Sequence, residues 1–394
     1  MTVDQVPSPF DEARLGPIRL RNRFIKSATF EGRSPRRVPT DELIEFHRAM
    51  AAGGVAMTTV AYCAVSLEGT TDGRNVVLGH DAEDGLARLA DAVHAEGAAV
   101  SAQIGHAGPV SDPTRTHKRV LTPSRMISPL GFRPTHACTR GDIAEVTESY
   151  ARGAECLARA GFDAVEIHLG HNYLLSAFLS PRLNRRRDEY GGSLEHRARF
   201  AREVVAAVRS AVGPSVAVLA KLNMADGVGG GLWLDESLRV ARWLTEDGHL
   251  DALELTGGSS LLNPMYLFRG DAPIREMAAG FPPPFGAGFR LLGSRFLKEY
   301  PYEEAYFLPF ARQFRAAIDL PLVLLGGVSD LETAHVAMRE GFEFVAMGRA
   351  LLREPDLIRR YEEREASTSL CVHCNKCMPT IYSGTRCVLV EDSK

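Results

Sequence analysis

The chain has 394 residues, of which 45% are hydrophobic and 24% charged, so it is neither a disordered nor a fibrous protein. Its formal net charge of -3 gives no basic field for nucleic acid or anionic lipid, and we expect neither as a partner. No apolar run approaches the roughly 18–20 residues of a membrane-spanning helix, and the first residues lack a secretory signal, so we expect a cytoplasmic enzyme.

Short apolar runs alternate with longer amphipathic stretches, a pattern typical of repeated βα units around a parallel sheet. The eight predicted strands cover residues 23–27, 55–62, 99–104, 164–168, 216–223, 252–256, 321–326 and 344–347. The predicted helices cover 83–96, 143–160, 194–212, 235–245 and 331–340. Eight strands, most of them followed by a helix, favour a closed (β/α)8 TIM barrel. The alternative is an open doubly wound sheet, but its usual glycine-rich turn after the first strand is absent.

Three segments, 105–141, 183–193 and 257–310, are longer than ordinary connections between a strand and a helix. Such insertions in barrels usually belong to the loops at the C-terminal ends of the strands, where they shape the pocket. The third segment is aromatic and proline-rich, and its alternative role is to pack over a barrel end or in a dimer contact. We predict a barrel over residues 1–365 and a short cysteine-rich segment over 366–394.

Polar side chains stand at the ends of several predicted strands, where barrel enzymes carry their chemistry. Gln103 ends the third strand, and its amide suits a ring that carries C=O and N–H groups side by side. Lys221 lies among apolar residues of the fifth strand, where an ammonium group needs a compensating negative charge or an electron-rich ring. Glycines and an arginine suited to a phosphate follow the last two strands, namely Gly326, Gly327, Gly348 and Arg349. Together they predict a nucleotide-like cofactor.

The fourth predicted strand ends in two imidazoles and a phenol, within Glu166-Ile-His-Leu-Gly-His-Asn-Tyr173. His168 and His171 can donate two N–H bonds to one carbonyl oxygen and stabilise developing enolate charge. Tyr173 is protonated at neutral pH and can act as a general acid. A metal site would need a third ligand that is not obvious nearby, and histidines bonded to the backbone are the structural alternative.

These residues, in this order, resemble the old yellow enzyme family of NADH:flavin oxidoreductases, which are flavoprotein ene-reductases. The resemblance runs from about residue 20 to residue 357, and its most specific part is EIHLGHNYLLSAFLSPRLNRRRDEYGGSLEHR at 166–197. Shorter matches are LRNRFIKSAT, AQIGHAG, LLGGVSD and FVAMGRALLREPDLI. A barrel aldolase with Lys221 as its Schiff-base lysine would leave Gln103 and the His–His–Tyr group unexplained.

The resemblance implies a barrel that binds FMN non-covalently. It places the backbone of Ser27, Ala28 and Thr29 beside the flavin ring, Gln103 at the pyrimidine edge and Lys221 near N1 and C2=O. The phosphate would be held by Gly326, Gly327, Gly348 and Arg349. Tyr62 stands where relatives often carry a small residue beside the flavin, and a packed aromatic at a strand end is its alternative role.

The resemblance also implies a reaction in two halves that share one site. NADH or NADPH reduces FMN and leaves, and an enone or enal then binds with its oxygen on His168 and His171. N5 of the flavin delivers hydride to Cβ, and Tyr173 protonates Cα. The family relationship further implies a homo-oligomer that acts on small molecules.

Four of the seven cysteines, Cys371, Cys374, Cys377 and Cys387, lie close together near the C-terminus. This segment resembles the four-cysteine iron–sulfur segment of larger relatives such as 2,4-dienoyl-CoA reductase and trimethylamine dehydrogenase, with shorter spacing. A [4Fe–4S] cluster, a zinc ion and free thiols remain open. With a cluster, the chain would be a flavin dehydrogenase that exchanges electrons with a separate redox partner protein. A metal-binding or redox-sensing protein without catalysis is disfavoured, because His168, His171 and Tyr173 are all present.

Overall fold

The computed structural model describes residues 6–281 and 283–390 and contains a closed barrel of eight parallel strands. The barrel strands β1 to β8 are Phe24–Lys26, Met57–Ala64, Ala99–Gly105, Ala164–Leu169, Ala217–Asn223, Ala252–Thr256, Leu322–Leu325 and Phe344–Met347. β1 pairs with both β2 and β8, so the sheet closes on itself. The closed sheet confirms the predicted TIM barrel and excludes the open sheet. Parts of the predicted segments (residues 1–5, 282 and 391–394) lie outside the described residues.

Eight helices surround the barrel. These helices, α1 to α8, are Asp41–Ala52, His80–His94, Arg140–Arg159, Leu194–Val212, Leu234–Glu246, Leu308–Arg315, Leu331–Arg339 and Leu357–Glu362. Shorter helical pieces are Pro113–Thr116, Leu174–Leu179, Pro264–Phe268, Ile274–Ala279, Phe285–Leu292 and Arg349–Arg353, with single turns at Gly108–Val110, Gly213–Ser215, Gly293–Arg295 and Met378–Tyr382. Small strands outside the barrel proper are Ala13–Leu15, Ile18–Leu20, Val76–Val77, Leu121–Thr122 and His136–Ala137.

None of the helices in the described part of the chain is long and apolar enough to cross a membrane.

Local sequence explains why these elements form where they do. The barrel strands read as nearly continuous apolar runs because one face packs on helices and the other fills the barrel, and all seven residues of β5 are buried. Polar caps start the helices: Thr139 and Asp142 form a reciprocal capping box at α3, and Asp330 accepts from the Thr333 N–H at α7. The predicted strands differ from the observed ones by at most two residues at either end.

The long segments lie over the C-terminal ends of the strands. Residues 257–310 leave β6, and the Ser260 N–H donates to the carbonyl of His171 at 3.1 Å. Further along the same segment, the Ala305 N–H donates to the carbonyl of Gly327. The aromatic insertion therefore borders the opening of the barrel at the C-terminal ends of the strands, where the predicted site residues lie. We call this opening the mouth.

Candidate active site

The end of β4 brings the three predicted catalytic side chains together. The ring centroids of His168 and His171 lie 5.0 Å apart, and those of His168 and Tyr173 lie 4.4 Å apart. His168 is the fifth residue of β4, whereas His171 and Asn172 have the positive φ angles of 60° and 61° that turn the chain sharply after the strand. This turn points consecutive polar residues into one mouth.

Both histidines are neutral in this environment. Burial, followed by the charges of His171 and Lys221, lowers the pKa of His168 well below its usual value. Burial and Lys221 lower the pKa of His171 to about 3. Each ring therefore carries a single N–H, which it can donate to a substrate oxygen without being an imidazolium ion.

Two side chains missed by the sequence analysis hold His171 in place. His171 Nε2 lies 2.9 Å from Thr256 Oγ1 at the end of β6, and the His171 backbone N–H donates to Asn223 Oδ1 at 3.1 Å. Thr256 and Asn223 are fully buried. When the threonine hydroxyl donates to Nε2, the ring proton stays on Nδ1 and is available to a substrate.

Lys221 lies inside the barrel between two buried carboxylates. Its Nζ is 3.1 Å from Glu166 Oε1 and 3.0 Å from Glu254 Oε1, and it donates to Ser27 Oγ at 3.1 Å. Gln103 Nε2 donates to Glu166 Oε1 at 2.7 Å. These five side chains, from strands β3 to β6 and the residue after β1, form a continuous network that we call the buried belt.

The belt places two carboxylates against one ammonium group. Although burial opposes it, the charges of Glu166 and Glu254 raise the pKa of Lys221, so the ammonium group stays charged. Burial and the nearby Glu254 raise the pKa of Glu166. The negative charge that compensates Lys221 therefore comes from Glu166 and Glu254, which the sequence did not indicate as its partners.

The remaining predicted ring-binding residues line the same mouth. Ser27 donates its hydroxyl to Glu254 Oε1 at 2.8 Å, and Thr29 Oγ1 donates to the Ser27 carbonyl at 3.2 Å. Ala28 packs with Tyr62 and Tyr173, and the last two rings meet edge to face at 5.2 Å. Tyr62 is buried and donates its hydroxyl to the Gly69 carbonyl.

The predicted phosphate residues come together at the ends of β7 and β8. Gly326 and Gly327 have φ angles of 102° and 80°, a region that favours glycine. Side chains added there would meet the rings of Phe307 and Tyr306 at 3.0 Å or less, so the aromatic insertion packs on both glycines. Arg349 follows Gly348 and donates to the Arg269 carbonyl at 2.8 Å and to the side chain of Asn375.

The residues present fit the FMN that the sequence resemblance implies. His168 Nδ1 is buried and has no hydrogen-bond partner among residues 6–281 and 283–390, as expected of a group whose partner is a bound molecule. A Cβ on Gly348 would lie 3.7 Å from Thr29 Oγ1, so the loops after β1 and β8, which carry predicted cofactor-binding residues, lie beside each other. We therefore take the mouth as a flavin-compatible site.

The four clustered cysteines face one small cavity beside Arg349. Cys371, Cys374, Cys377 and Cys387 line it together with Leu352, Arg353, Val372, Val388 and Leu389. Burial raises the pKa of Cys377 to about 11 and also raises that of Cys371. No three metal-binding side chains in the described part of the chain are placed to share an ion. The structure thus brings the predicted ligands together without forming a metal site.

Comparisons with known proteins agree with this geometry. The profile of the NADH:flavin oxidoreductase / NADH oxidase family matches residues 9–252. The 4,4'-dithiodibutanoate disulfide reductase of Rhodococcus erythropolis is 54% identical over 389 residues, which cover 99% of this chain and 96% of that protein. The multifunctional alkene reductase/demethylase OYE of Caballeronia cordobensis is 29% identical over 92% of this chain, which spans about half (51%) of that protein.

A solved structure of morphinone reductase in complex with tetrahydroNAD has the same fold. It superposes with a TM-score of 0.68 at 25% identity, covering 93% of this chain and 94% of that chain. The barrel fold is thus shared with a known structure over nearly the whole chain.

Proposed function

The chain belongs to the NADH:flavin oxidoreductase / NADH oxidase family, in the old yellow enzyme group, and is an NAD(P)H-dependent flavin oxidoreductase. From this premise we propose that its barrel mouth reduces the C=C bond of α,β-unsaturated carbonyl compounds. The observation that carries the proposal is the convergence of His168, His171 and Tyr173 at the end of β4. The two neutral imidazole N–H groups can donate to the substrate carbonyl oxygen, which gains negative charge during the reaction. The phenol beside them can give a proton to Cα.

FMN would be held by the backbone after β1, by Gln103 and by the glycines and Arg349 after β7 and β8. Bound FMN supplies the hydride chemistry, taken up from NADH or NADPH and passed on at N5 in two separate half-reactions. The protein's own contribution is placement and electrostatics. His168 and His171 bind the substrate oxygen, and their hydrogen bonds strengthen as negative charge develops on it.

Tyr173 supplies the proton in this proposal. Burial, with smaller contributions from Asp72 and Tyr382, raises its pKa, so the hydroxyl stays protonated throughout the working pH range. Its ring is fixed between Tyr62 and His168. The hydroxyl can therefore protonate Cα without a search over side-chain rotamers.

The test is a stopped-flow comparison of the two half-reactions in FMN-loaded protein without oxygen. Tyr173→Phe should leave flavin bleaching by NADH or NADPH within about twofold of wild type and slow reoxidation by 2-cyclohexenone about 100-fold or more, because only the proton donor is lost. Tyr190→Phe, a phenol on the outer side of the barrel that donates to Glu203, is the matched control. Equal losses in both half-reactions for Tyr173→Phe would remove the assignment.

A second candidate is reduction of an organic disulfide, favoured by the disulfide reductase that is 54% identical over nearly the full length. In this reaction the hydride forms an S–H bond with one sulfur while the S–S bond breaks. The second sulfur leaves as a thiolate and takes a proton, so one NADH or NADPH yields two thiols. The same mouth can serve both reactions, because in each of them an electrophilic atom, Cβ of the enone or one sulfur of the disulfide, accepts the hydride.

The two candidates differ in what they require of the histidines. A carbonyl oxygen needs both N–H donors, whereas a disulfide has no oxygen at its reacting atoms. His168→Ala should therefore slow 2-cyclohexenone reduction at least tenfold and change the reduction of 4,4'-dithiodibutanoate by less than threefold. If wild type reduces only one of these substrates, that substrate decides between the candidates.

We also propose that the cysteine-rich segment holds a [4Fe–4S] cluster. The donor set supports this, because four thiol groups face one cavity that apolar side chains and two arginines, Arg349 and Arg353, also line. Iron, zinc and sulfide measured on protein purified without oxygen test it, with about four irons and four sulfides expected per chain. Zinc in place of iron would indicate a structural zinc site and contradict the cluster. Wild-type protein without metal would also contradict it and would mean that the four cysteines are thiols.

A further inference from the structure

The C-terminal tail crosses the mouth of the barrel. The Thr385 N–H donates to the Glu31 carbonyl at 2.7 Å, and Arg33 Nη2 donates to the Thr385 carbonyl at 3.1 Å. A Cβ on Gly32 would lie 2.3 Å from the Ile381 carbonyl oxygen, so the two backbones touch. The loop at 30–33 directly continues the segment Ser27–Thr29, which places the tail beside the predicted flavin-binding loop.

From that loop the tail continues to the segment that follows β3, two strands further around the barrel. The ring of Tyr382 lies under the guanidinium group of Arg115, with Cζ 4.1 Å from the ring centroid. Arg115 belongs to the short helix Pro113–Thr116, in the long segment that follows β3. The Arg115–Tyr382 pair thus joins two insertions that come from separate parts of the chain.

A short series of contacts connects this pair to the catalytic end of β4. The ring of Tyr62 meets that of Tyr173 edge to face, and the backbone carbonyl of Tyr62 accepts a hydrogen bond from Asn75 Nδ2 at 3.4 Å. The Thr71 N–H donates to Asn75 Oδ1, and the Thr71 carbonyl accepts from the Asp112 N–H at 2.9 Å. Asp112 caps the helix that carries Arg115. Tyr382 also lies near enough to Tyr173 to contribute to the shift of its pKa, so the Arg115–Tyr382 pair borders the part of the mouth that Tyr173 occupies.

The guanidinium group of Arg115 has unused donors. Its Nε lies 3.3 Å from Asp112 Oδ2, and neither Nη donates to any of residues 6–281 and 283–390 in the described structure. Asp112 is already engaged as a helix cap, accepting from the Thr114 N–H at 2.9 Å. The nearby Asp72 is buried, and that burial raises its pKa, whereas the charge of Arg115 lowers it. The Arg115 side chain is 46% exposed.

We propose that Arg115, oriented by the ring of Tyr382, binds a carboxylate on the substrate at the end remote from the reacting bond. Stacking on an aromatic face leaves the in-plane N–H donors of a guanidinium group free for a bidentate carboxylate. The substrate class is then a carboxylic acid. This inference rests on the proposed function, because it assigns the remote end of a molecule whose reactive end lies at His168, His171 and Tyr173.

The test compares 4,4'-dithiodibutanoate with its dimethyl ester, and an enone acid with its methyl ester, in FMN-loaded protein. Arg115→Ala should raise KM for the acids about tenfold, with kcat within about twofold, because one charge-assisted contact at a half-exposed site is lost. The esters should not change. Arg115→Lys should recover part of the loss, since it keeps the charge but not the planar fork.

Matched variants separate recognition from packing. Tyr382→Phe keeps the stacking and should behave as wild type, whereas Tyr382→Leu should raise KM for the acids about threefold by releasing the guanidinium group. Arg239→Ala removes an arginine that stacks on Trp243 on helix α5, away from the mouth, and should change nothing. Equal KM changes for acid and ester, or none with Arg115→Ala, would overturn the proposal.

Calorimetric titration of the oxidised, FMN-loaded protein with each acid and ester, without a nicotinamide donor, makes the outcome independent of turnover. Tighter binding of the acid that Arg115→Ala abolishes supports the carboxylate site even if neither substrate is reduced, in which case only the proposed function fails. Turnover of acid and ester with equal binding affinities keeps the proposed function and rejects the carboxylate site.

Discussion

The end of β4, with His168, His171 and Tyr173, and the cysteine-rich tail are held by the protein in different ways. β4 is hydrogen-bonded to β3 on one side and to β5 on the other, and all six of its residues are buried. Residues 369–390 contain one short turn, Met378–Tyr382, and dock through contacts such as those from Asn375 Nδ2 to the carbonyls of Arg269 and Asp271. The end of β4 is held by strand pairing within the barrel, whereas the tail is held by contacts with loops, some of them buried, so the two should be separable by mutation.

Loss of the buried ammonium group should have the largest effect, and it should act on the barrel. Lys221→Met leaves Glu166 and Glu254 facing each other without a counter-charge, which we expect to lower the free energy of unfolding by about 3–5 kcal/mol. Urea unfolding followed by tryptophan fluorescence and circular dichroism measures this change.

A double variant sharpens the expectation. Adding Glu254→Gln to Lys221→Met removes one of the two uncompensated carboxylates and should recover part of the lost stability. Arg312→Met, which breaks an exposed pair with Glu340 on the barrel surface, should leave the unfolding midpoint in place. A Lys221→Met protein with the wild-type midpoint would show that the belt is not electrostatically coupled.

A smaller and more local effect is expected where the tail touches the barrel. Gly32→Ala puts a Cβ 2.3 Å from the Ile381 carbonyl at a φ of 63°, and this left-handed conformation alone costs about 1–2 kcal/mol. We expect the tail to detach while the barrel stays folded. Limited proteolysis should then cleave beyond residue 365 at least tenfold faster, with far-ultraviolet circular dichroism unchanged.

Gly288→Ala is the control for this experiment. Its added methyl group meets no atom within 4 Å in the helix Phe285–Leu292, so cleavage of the tail should proceed at the wild-type rate. Unfolding of the whole Gly32→Ala protein in one step, with no early cleavage product, would show that the tail and the barrel form one cooperative unit.

The features that follow from the strand pattern could be predicted from the sequence, whereas contacts that depend on irregular loops or on strand order and register could not. The end of β4 could be predicted because a parallel barrel gathers the C-terminal strand ends, so His168 and Tyr173 had to share a mouth. Glu166 and Glu254 were visible as charged residues within apolar strands, yet their pairing with Lys221 depends on which strands neighbour each other and in what register. The Arg115–Tyr382 contact joins positions 267 residues apart through two irregular segments, and no local pattern indicates it.

The smallest expected effect concerns the orientation of one ring. Thr256→Val keeps the shape of the side chain but removes the hydroxyl that contacts His171 Nε2 at 2.9 Å. The ring can then adopt the other tautomer, and we expect kcat for 2-cyclohexenone to fall about tenfold, close to the loss of one hydrogen bond. Flavin bleaching by NADH and the unfolding midpoint should stay near wild type, and Thr256→Ser should restore turnover. Because Thr256 lies on β6 and His171 follows β4, an unchanged rate in Thr256→Val would mean that the turn after β4 orients the imidazole by itself, without support from β6.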